Sequence, residues 1–165
     1  MLFLIVLTVA TLLVAAGDRA RRRFVPRRAA RLGMGAAMIA AGVAHLLLPL
    51  PFEQHLPLWV PEREVLVAVS GIVEIALGAA LWSRPPWRRR AGAALAGYLI
   101  LVFPANAYVA ATGVDVDGQP GGVYPWVRLP LQALFIAWAL WCTREADEPV
   151  TDRGGASGLH DAVAG

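Results

Sequence analysis

The sequence predicts an all-α, polytopic membrane protein with a four-helix transmembrane core (spans two to five) and an extra N-terminal transmembrane helix. Two features of the composition predict this class. Of the 165 residues, 58% are hydrophobic and only 16% are charged, whereas soluble domains carry about 25% charged residues. Several apolar runs, nearly free of charge, also have the length that crosses a bilayer. These features argue against a soluble enzyme, a disulfide scaffold, a disordered chain and a DNA-binding domain.

Five apolar runs define the predicted spans and the domain organisation. The spans cover about residues 1–17, 32–52, 64–83, 91–113 and 123–143. Pro85 and Pro86 break the helix after the third span. The predicted divisions are an N-terminal transmembrane helix (1–17), an arginine-rich cytoplasmic loop (18–31), a four-helix membrane domain (32–143) and an acidic cytoplasmic tail (144–165). Because the tail lacks hydrophobic periodicity, we expect it to be disordered.

The uneven distribution of basic residues predicts the orientation of the spans. All fifteen basic residues are arginines. Eleven of them lie in two loops: Arg19, Arg21, Arg22, Arg23, Arg27, Arg28 and Arg31 in the first, and Arg84, Arg88, Arg89 and Arg90 in the second. Short loops rich in arginine remain in the cytoplasm, so we expect the N-terminus outside and the C-terminus inside. We attribute the basic charge to topology and to lipid contact, and expect the lipid bilayer, not nucleic acid, as partner.

Strongly polar side chains inside the apolar runs are the candidate site residues. They are His45 in the second span, Ser70 and Glu74 in the third, Asn106 in the fourth, and Arg128 and Gln132 in the fifth. At 1.5 Å per residue they fall at similar depths, in the outer half of the membrane or at its floor. A polar group at bilayer depth costs at least a few kcal/mol unless it has a partner. We therefore expect one shared polar cluster.

Five of these six residues also have a purely structural interpretation. Glu74 could be a functional proton donor, a neutral acid that stabilises packing, or the partner of His45 or Arg128. His45 could serve a functional site, or its neutral imidazole could bridge two helices. The amides of Asn106 and Gln132 could simply join helices. Arg128 could reach the outer interface, or it could anchor an anionic or carbonyl group of a ligand.

Small residues and one proline predict how the spans pack. Gly33, Ala37, Ala41 and His45 recur every fourth residue, and a stripe of small residues lets helices approach closely. Pro104 should free a backbone carbonyl near residue 100, which would offer a further polar partner at that depth.

No metal site or soluble catalytic motif is predicted. The chain has three histidines and one cysteine, Cys142, which supply neither a zinc nor a haem constellation. Asp115 and Asp117 resemble the start of a calcium loop, but its twelfth position is Trp126, where glutamate is needed. We expect no cofactor bound covalently or through a metal.

Five short motifs together resemble the DoxX family of small bacterial membrane proteins. They are Gly42-x-x-His45, Pro57-x-Trp59-x-Pro61, Ser70-Gly71-x-x-Glu74-x-x-x-Gly78, Phe103-Pro104-Ala105-Asn106 and Arg128-Leu129-Pro130-x-Gln132. The resemblance covers about residues 32–141. It implies a four-helix core, a bacterial cytoplasmic membrane and an association with quinol and thiosulfate oxidation. The family often has an aromatic residue after the histidine, where this chain has Leu46.

Three functions fit these features. In the first, the chain is a binding or accessory subunit whose polar cluster holds the head of a lipophilic molecule such as a quinone. A respiratory or redox protein would then be its partner, because this chain ligates no electron carrier, and we do not expect it to act as an enzyme by itself. The second function is structural, and the third is a small proton-linked transporter. Short helices leave little room for alternating access unless the protein forms an oligomer.

Overall fold

The computed structural model describes residues 2–22 and 24–144 and contains six helices in that part of the chain. They are α1 (Leu2–Ala20), α2 (Pro26–Leu47), α3 (Leu50–Glu53), α4 (Arg63–Ala80), α5 (Trp87–Thr112) and α6 (Tyr124–Thr143). The described residues form no strand, which confirms the all-α prediction. Four helices, α1, α2, α5 and α6, are long and apolar enough to cross a membrane. Residues 145–165 of the predicted disordered tail lie outside the described residues.

The helix boundaries differ from the predicted spans where prolines and arginines occur. Helix α2 begins at Pro26 and ends at Leu47, whereas the predicted span covered residues 32–52. Proline suits the first turn of a helix, and the residue before a proline avoids helical geometry. Pro26 therefore begins α2 among the arginines, and Pro49 separates it from the short helix α3. His45 consequently lies about 3 Å from the end of α2, closer than predicted.

Glycines bring α2 and α4 into close antiparallel contact. A Cβ atom added at Gly42 would lie 2.4 Å from the carbonyl oxygen of Gly71, and one at Gly35 would lie 2.8 Å from that of Gly78. The pairing runs in reverse order along the two helices, which makes them antiparallel. Only glycine allows backbones to approach so closely. We call these two pairs, Gly35 with Gly78 and Gly42 with Gly71, the glycine ladder.

Helix α2 is central, because α1, α4 and α6 all pack against it. Gly33 faces α1, since a Cβ atom there would collide with the side chain of Thr11. The predicted stripe of Gly33, Ala37, Ala41 and His45 therefore does not face a single helix, because Gly33 meets α1 and His45 meets Gly71 of α4. Helix α5 packs mainly on α6 and contacts α4 only sparsely. The buried core contains Met34, Met38, Leu81, Leu95 and Leu99.

The bundle has two chemically different ends. The arginine end consists of the α1–α2 and α4–α5 connections and the end of α6. There Arg28 pairs with Asp18, and Arg31 donates to the carbonyl oxygen of Leu81 at 2.5 Å. The loop end consists of α3 and residues 54–62 and 113–123. Between the two ends, many leucine, isoleucine and valine side chains are exposed on the outside of the bundle, as lipid contact requires.

Candidate functional site

Two ionisable side chains from two other helices contact Glu74. Glu74 lies on α4 and is only 8% exposed. The hydroxyl group of Tyr98, on α5, donates a hydrogen bond of 2.9 Å to Glu74 Oε1. His45 Nδ1, on α2, lies 3.2 Å from Glu74 Oε2. We call these three residues the Glu74 triad.

The hydrogen-bond capacity of the triad is only partly used. His45 Nδ1 lies 2.8 Å from the carbonyl oxygen of Ala41, which is closer than Glu74, so the Nδ1 hydrogen is donated to that carbonyl. Glu74 Oε2 is buried and accepts no hydrogen bond among the described residues. His45 Nε2 likewise has no hydrogen-bond partner in the described part of the chain. The triad therefore retains a free carboxylate oxygen and a free imidazole nitrogen.

An aromatic ring holds His45 from the loop end. The ring of Phe52 in α3 stacks on the imidazole, with centroids 3.7 Å apart and an interplanar angle of 23°. Phe52 thus supplies the aromatic contact that Leu46, next to His45 in sequence, does not provide. Ser70, one turn before Glu74, donates to the carbonyl oxygen of Val67 at 2.8 Å.

Asn106 and Gln132 form a second group, between α5 and α6. Asn106 Nδ2 donates to Gln132 Oε1 at 2.8 Å, and Gln132 Nε2 donates to the carbonyl oxygen of Leu99 at 2.5 Å. Pro104 has no N–H group to donate to the carbonyl oxygen of residue 100. The carbonyl group of Leu99 lies one residue before that position. Gln132 is 4% exposed and its amide is used at both atoms. The geometry favours the structural interpretation of these two residues.

Arg128 belongs to a third group, at the loop end. Its Nη1 atom donates to Nε2 of His55 and to Oε1 of Gln119, both at 2.6 Å. His55 Nδ1 lies 2.7 Å from the carbonyl oxygen of Pro51 and donates its hydrogen there. Burial, and then the charge of Arg128, lower the pKa of His55 to about 4, so the imidazole is neutral at pH 7.

The single predicted cluster is therefore divided. The six predicted residues occupy three groups, and no side-chain hydrogen bond joins these groups within the described chain. Of the partners considered for Glu74, His45 is the one in contact, and Arg128 makes no ion pair with it. Tyr98, His55 and Gln119 were not predicted as site residues. Tyr98 could have been found, since a tyrosine in the middle of a span needs a partner for its hydroxyl group.

Two surface depressions lie at the loop end. One, of about 390 Å³, is lined by residues 47–51 with Asp117 and Gly118. The other, of about 300 Å³, lies between the end of α5 and the start of α6 and includes Trp126. Neither includes a residue of the Glu74 triad. Among the described residues no group of histidine, cysteine or carboxylate side chains could hold a metal ion.

The fold and the composition define a helical, polytopic membrane protein with a buried polar triad. The chain belongs to the family described as "Domain of unknown function (DUF8561)", which it matches over residues 34–143. The matched region contains the Glu74 triad and the groups of Gln132 and Arg128, whereas α1 precedes it. No curated protein and no solved structure matches the chain significantly.

Proposed function

We propose that this protein is a DoxX-like subunit of the bacterial cytoplasmic membrane that binds the polar head of a lipophilic, quinone-like molecule at the Glu74 triad. The convergence of His45, Glu74 and Tyr98 inside an apolar bundle carries the proposal. A polar residue within a membrane span is costly, and it is retained where it serves a site or a partner. The DoxX resemblance supports the same reading, because its Gly42, His45, Gly71 and Glu74 lie around this contact.

The free atoms of the triad suit both states of such a ligand. With Nδ1 protonated, the neutral imidazole of His45 presents Nε2 as an acceptor for a quinol hydroxyl group. If His45 takes up that proton, Nε2–H becomes a donor to a carbonyl oxygen, and the Glu74 carboxylate offsets the new charge. The chain then handles hydrogen bonds and a proton only. Oxidation of a quinol to a quinone releases two protons and two electrons. His45 takes up one proton, and the second proton and both electrons pass to a redox partner protein, which is part of the proposal.

The proposed orientation follows the arginines. The arginine end lies in the cytoplasm and the loop end outside, as the positive-inside rule requires. Single cysteines introduced at Arg89 and at Gly118, in a Cys142→Ser background, test this orientation. A membrane-impermeant maleimide added to intact cells should label the cysteine at position 118 and spare the one at position 89. The reverse labelling pattern would show that the arginine end lies outside and the loop end in the cytoplasm.

Binding of a short-chain quinone to the purified protein in mild detergent tests the function. Glu74→Gln keeps the shape of the side chain and removes its ionisable carboxyl group. We expect at least about 10-fold weaker binding, equivalent to about 1.4 kcal/mol. Glu64→Gln is the matched control, because this exposed carboxylate lies in the first turn of the same helix.

Stability must be measured beside binding. Glu74→Gln with an unchanged melting temperature and weaker binding would support the proposal. Equal quinone binding by the wild type, Glu74→Gln and Tyr98→Phe would overturn it. A loss of stability in both variants without a change in quinone binding would assign the triad to helix packing.

A further inference from the structure

Arg128 is a half-buried cation that has no counter-ion among the described residues. No carboxylate of the described residues lies within ion-pair distance, 4.0 Å, of its guanidinium group. Its ring contact is with Tyr124, whose centroid is 5.9 Å from the guanidinium carbon. A positive charge removed from water is costly unless an anion compensates it. In the described part of the chain, no acidic side chain therefore compensates the charge of Arg128.

Both hydrogen-bond partners of Arg128 are neutral acceptors. Gln119 contributes an amide oxygen, and His55, which is 7% exposed, contributes the lone pair of Nε2. Both acceptors contact the same nitrogen, Nη1. The other guanidinium nitrogens, Nε and Nη2, donate to no acceptor in the described structure. The protein thus fixes the guanidinium group through one nitrogen and leaves the remaining donors free.

The acidic residues of the loop end do not supply the missing charge. Four carboxylates lie at this end, Glu53, Glu62, Asp115 and Asp117, and a fifth, Glu64, lies beside it in the first turn of α4. Asp117 accepts a hydrogen bond of 3.2 Å from Gln54 Nε2, and its own backbone N–H donates to Gln54 Oε1 at 2.8 Å. Gln54 thereby joins the two loops beside His55 without bringing a carboxylate to Arg128.

We propose that Arg128, held by Gln119 and His55, is a binding site for a phosphate group. A planar guanidinium group with free donors matches phosphate oxygens, and such charge-assisted hydrogen bonds are about twice as strong as neutral ones. The site lies near the start of α6, at the loop end, where the headgroup layer of a bilayer would meet the bundle. The phosphate can come from a lipid headgroup or from soluble phosphate. This inference does not depend on the proposed quinone site.

Native mass spectrometry of the full chain in detergent, with defined lipids added, tests the site. We expect the wild type to retain phosphatidic acid and not diacylglycerol, which has the same acyl chains and no phosphate. Inorganic phosphate is then added as a competitor. Displacement of the lipid by millimolar phosphate would identify soluble phosphate as a sufficient ligand. Retention in its presence would identify the lipid headgroup as the source.

Two variants and two controls make the test decisive. Arg128→Gln should lower phosphatidic acid retention at least about 10-fold, whereas Arg63→Gln, at the same end of the bundle, should not. Gln119→Glu places a carboxylate on Arg128 and should also lower retention, with unchanged or higher thermal stability. If Arg128→Gln does not fold, the Gln119→Glu variant alone tests the proposal. Equal retention by wild type and a folded Gln119→Glu variant would overturn the proposal. Glu74→Gln should leave retention unchanged, which separates this site from the quinone proposal.

Discussion

Replacing Gly42 by alanine tests the glycine ladder directly. The added Cβ atom would lie 2.4 Å from the carbonyl oxygen of Gly71 and 2.8 Å from Cγ1 of Ile75. Ordinary van der Waals contact begins near 3.4 Å, so α2 and α4 must separate locally by about 1 Å. The backbone oxygen cannot rotate away as a side chain could. Gly42→Ala therefore requires the two helices to move apart.

The expected cost follows from two opposing terms. Overpacking against a rigid neighbour costs up to about 3 kcal/mol. Alanine favours the helix over glycine by about 1 kcal/mol, so Gly42→Ala should destabilise the protein by about 2 kcal/mol. Gly97→Ala in α5 is the matched control, because nothing lies within 4 Å of its added Cβ atom. That variant should gain about 1 kcal/mol, which places the two variants about 3 kcal/mol apart.

Reversible unfolding in mixed micelles, followed by circular dichroism while the denaturing detergent is increased, measures this difference. Gly42→Ala should unfold at a lower denaturant fraction than the wild type, and Gly97→Ala at the same or a higher fraction. If both alanine variants are equally stable, the close approach of α2 and α4 is absent and the packing described above is wrong.

Three further predictions concern single side chains. The unfolded chain protonates His55 near pH 6.5, and the folded chain only near pH 4. Stability should therefore fall by up to about 3 kcal/mol as the pH drops through this window, and thermal unfolding of His55→Gln should lack this component. Gln132→Leu leaves Asn106 and the carbonyl oxygen of Leu99 without their partner and should lower the free energy of unfolding by about 1 kcal/mol. If the hydrogen bond between the two amides exists, the Gln132→Leu, Asn106→Leu double variant should lose less stability than the two single variants added together. Cys142, which is 3% exposed, should react with a water-soluble maleimide only after unfolding; rapid labelling of the native protein would contradict its burial.

The fold was predictable because the apolar runs show where the long helices lie in the sequence. Their lengths gave five long helices, and the arginine loops meet at one end of the structure as the sequence predicts. The boundaries were less accurate near residues 26 and 49. There, prolines within otherwise continuous patterns begin and end helices, and hydropathy alone does not detect this.

The candidate site was predictable residue by residue but not in its grouping. Depth along a helix follows from residue number, so similar depths suggested one cluster. The direction of each side chain depends on helix rotation, which the sequence leaves open. Rotation sends Glu74 towards His45 and Tyr98, and Gln132 towards Asn106. The partners of Arg128 come from two loops, and contacts between His55 and Gln119 across 64 residues leave no periodic signal.

The glycine ladder also limits how the bundle can move. Its two pairs are seven residues apart on each helix, so sliding α4 along α2 by one turn, about 5.4 Å, would set larger side chains against both contacts. We therefore expect α2 and α4 to move as one body, and any lateral opening to occur between α4 and α5, where the bond from Tyr98 to Glu74 is a principal link. The proposed lipophilic ligand would then reach Glu74 sideways from the bilayer. A crosslink that joins α4 to α5 should block its entry, whereas one that joins α2 to α4 should not.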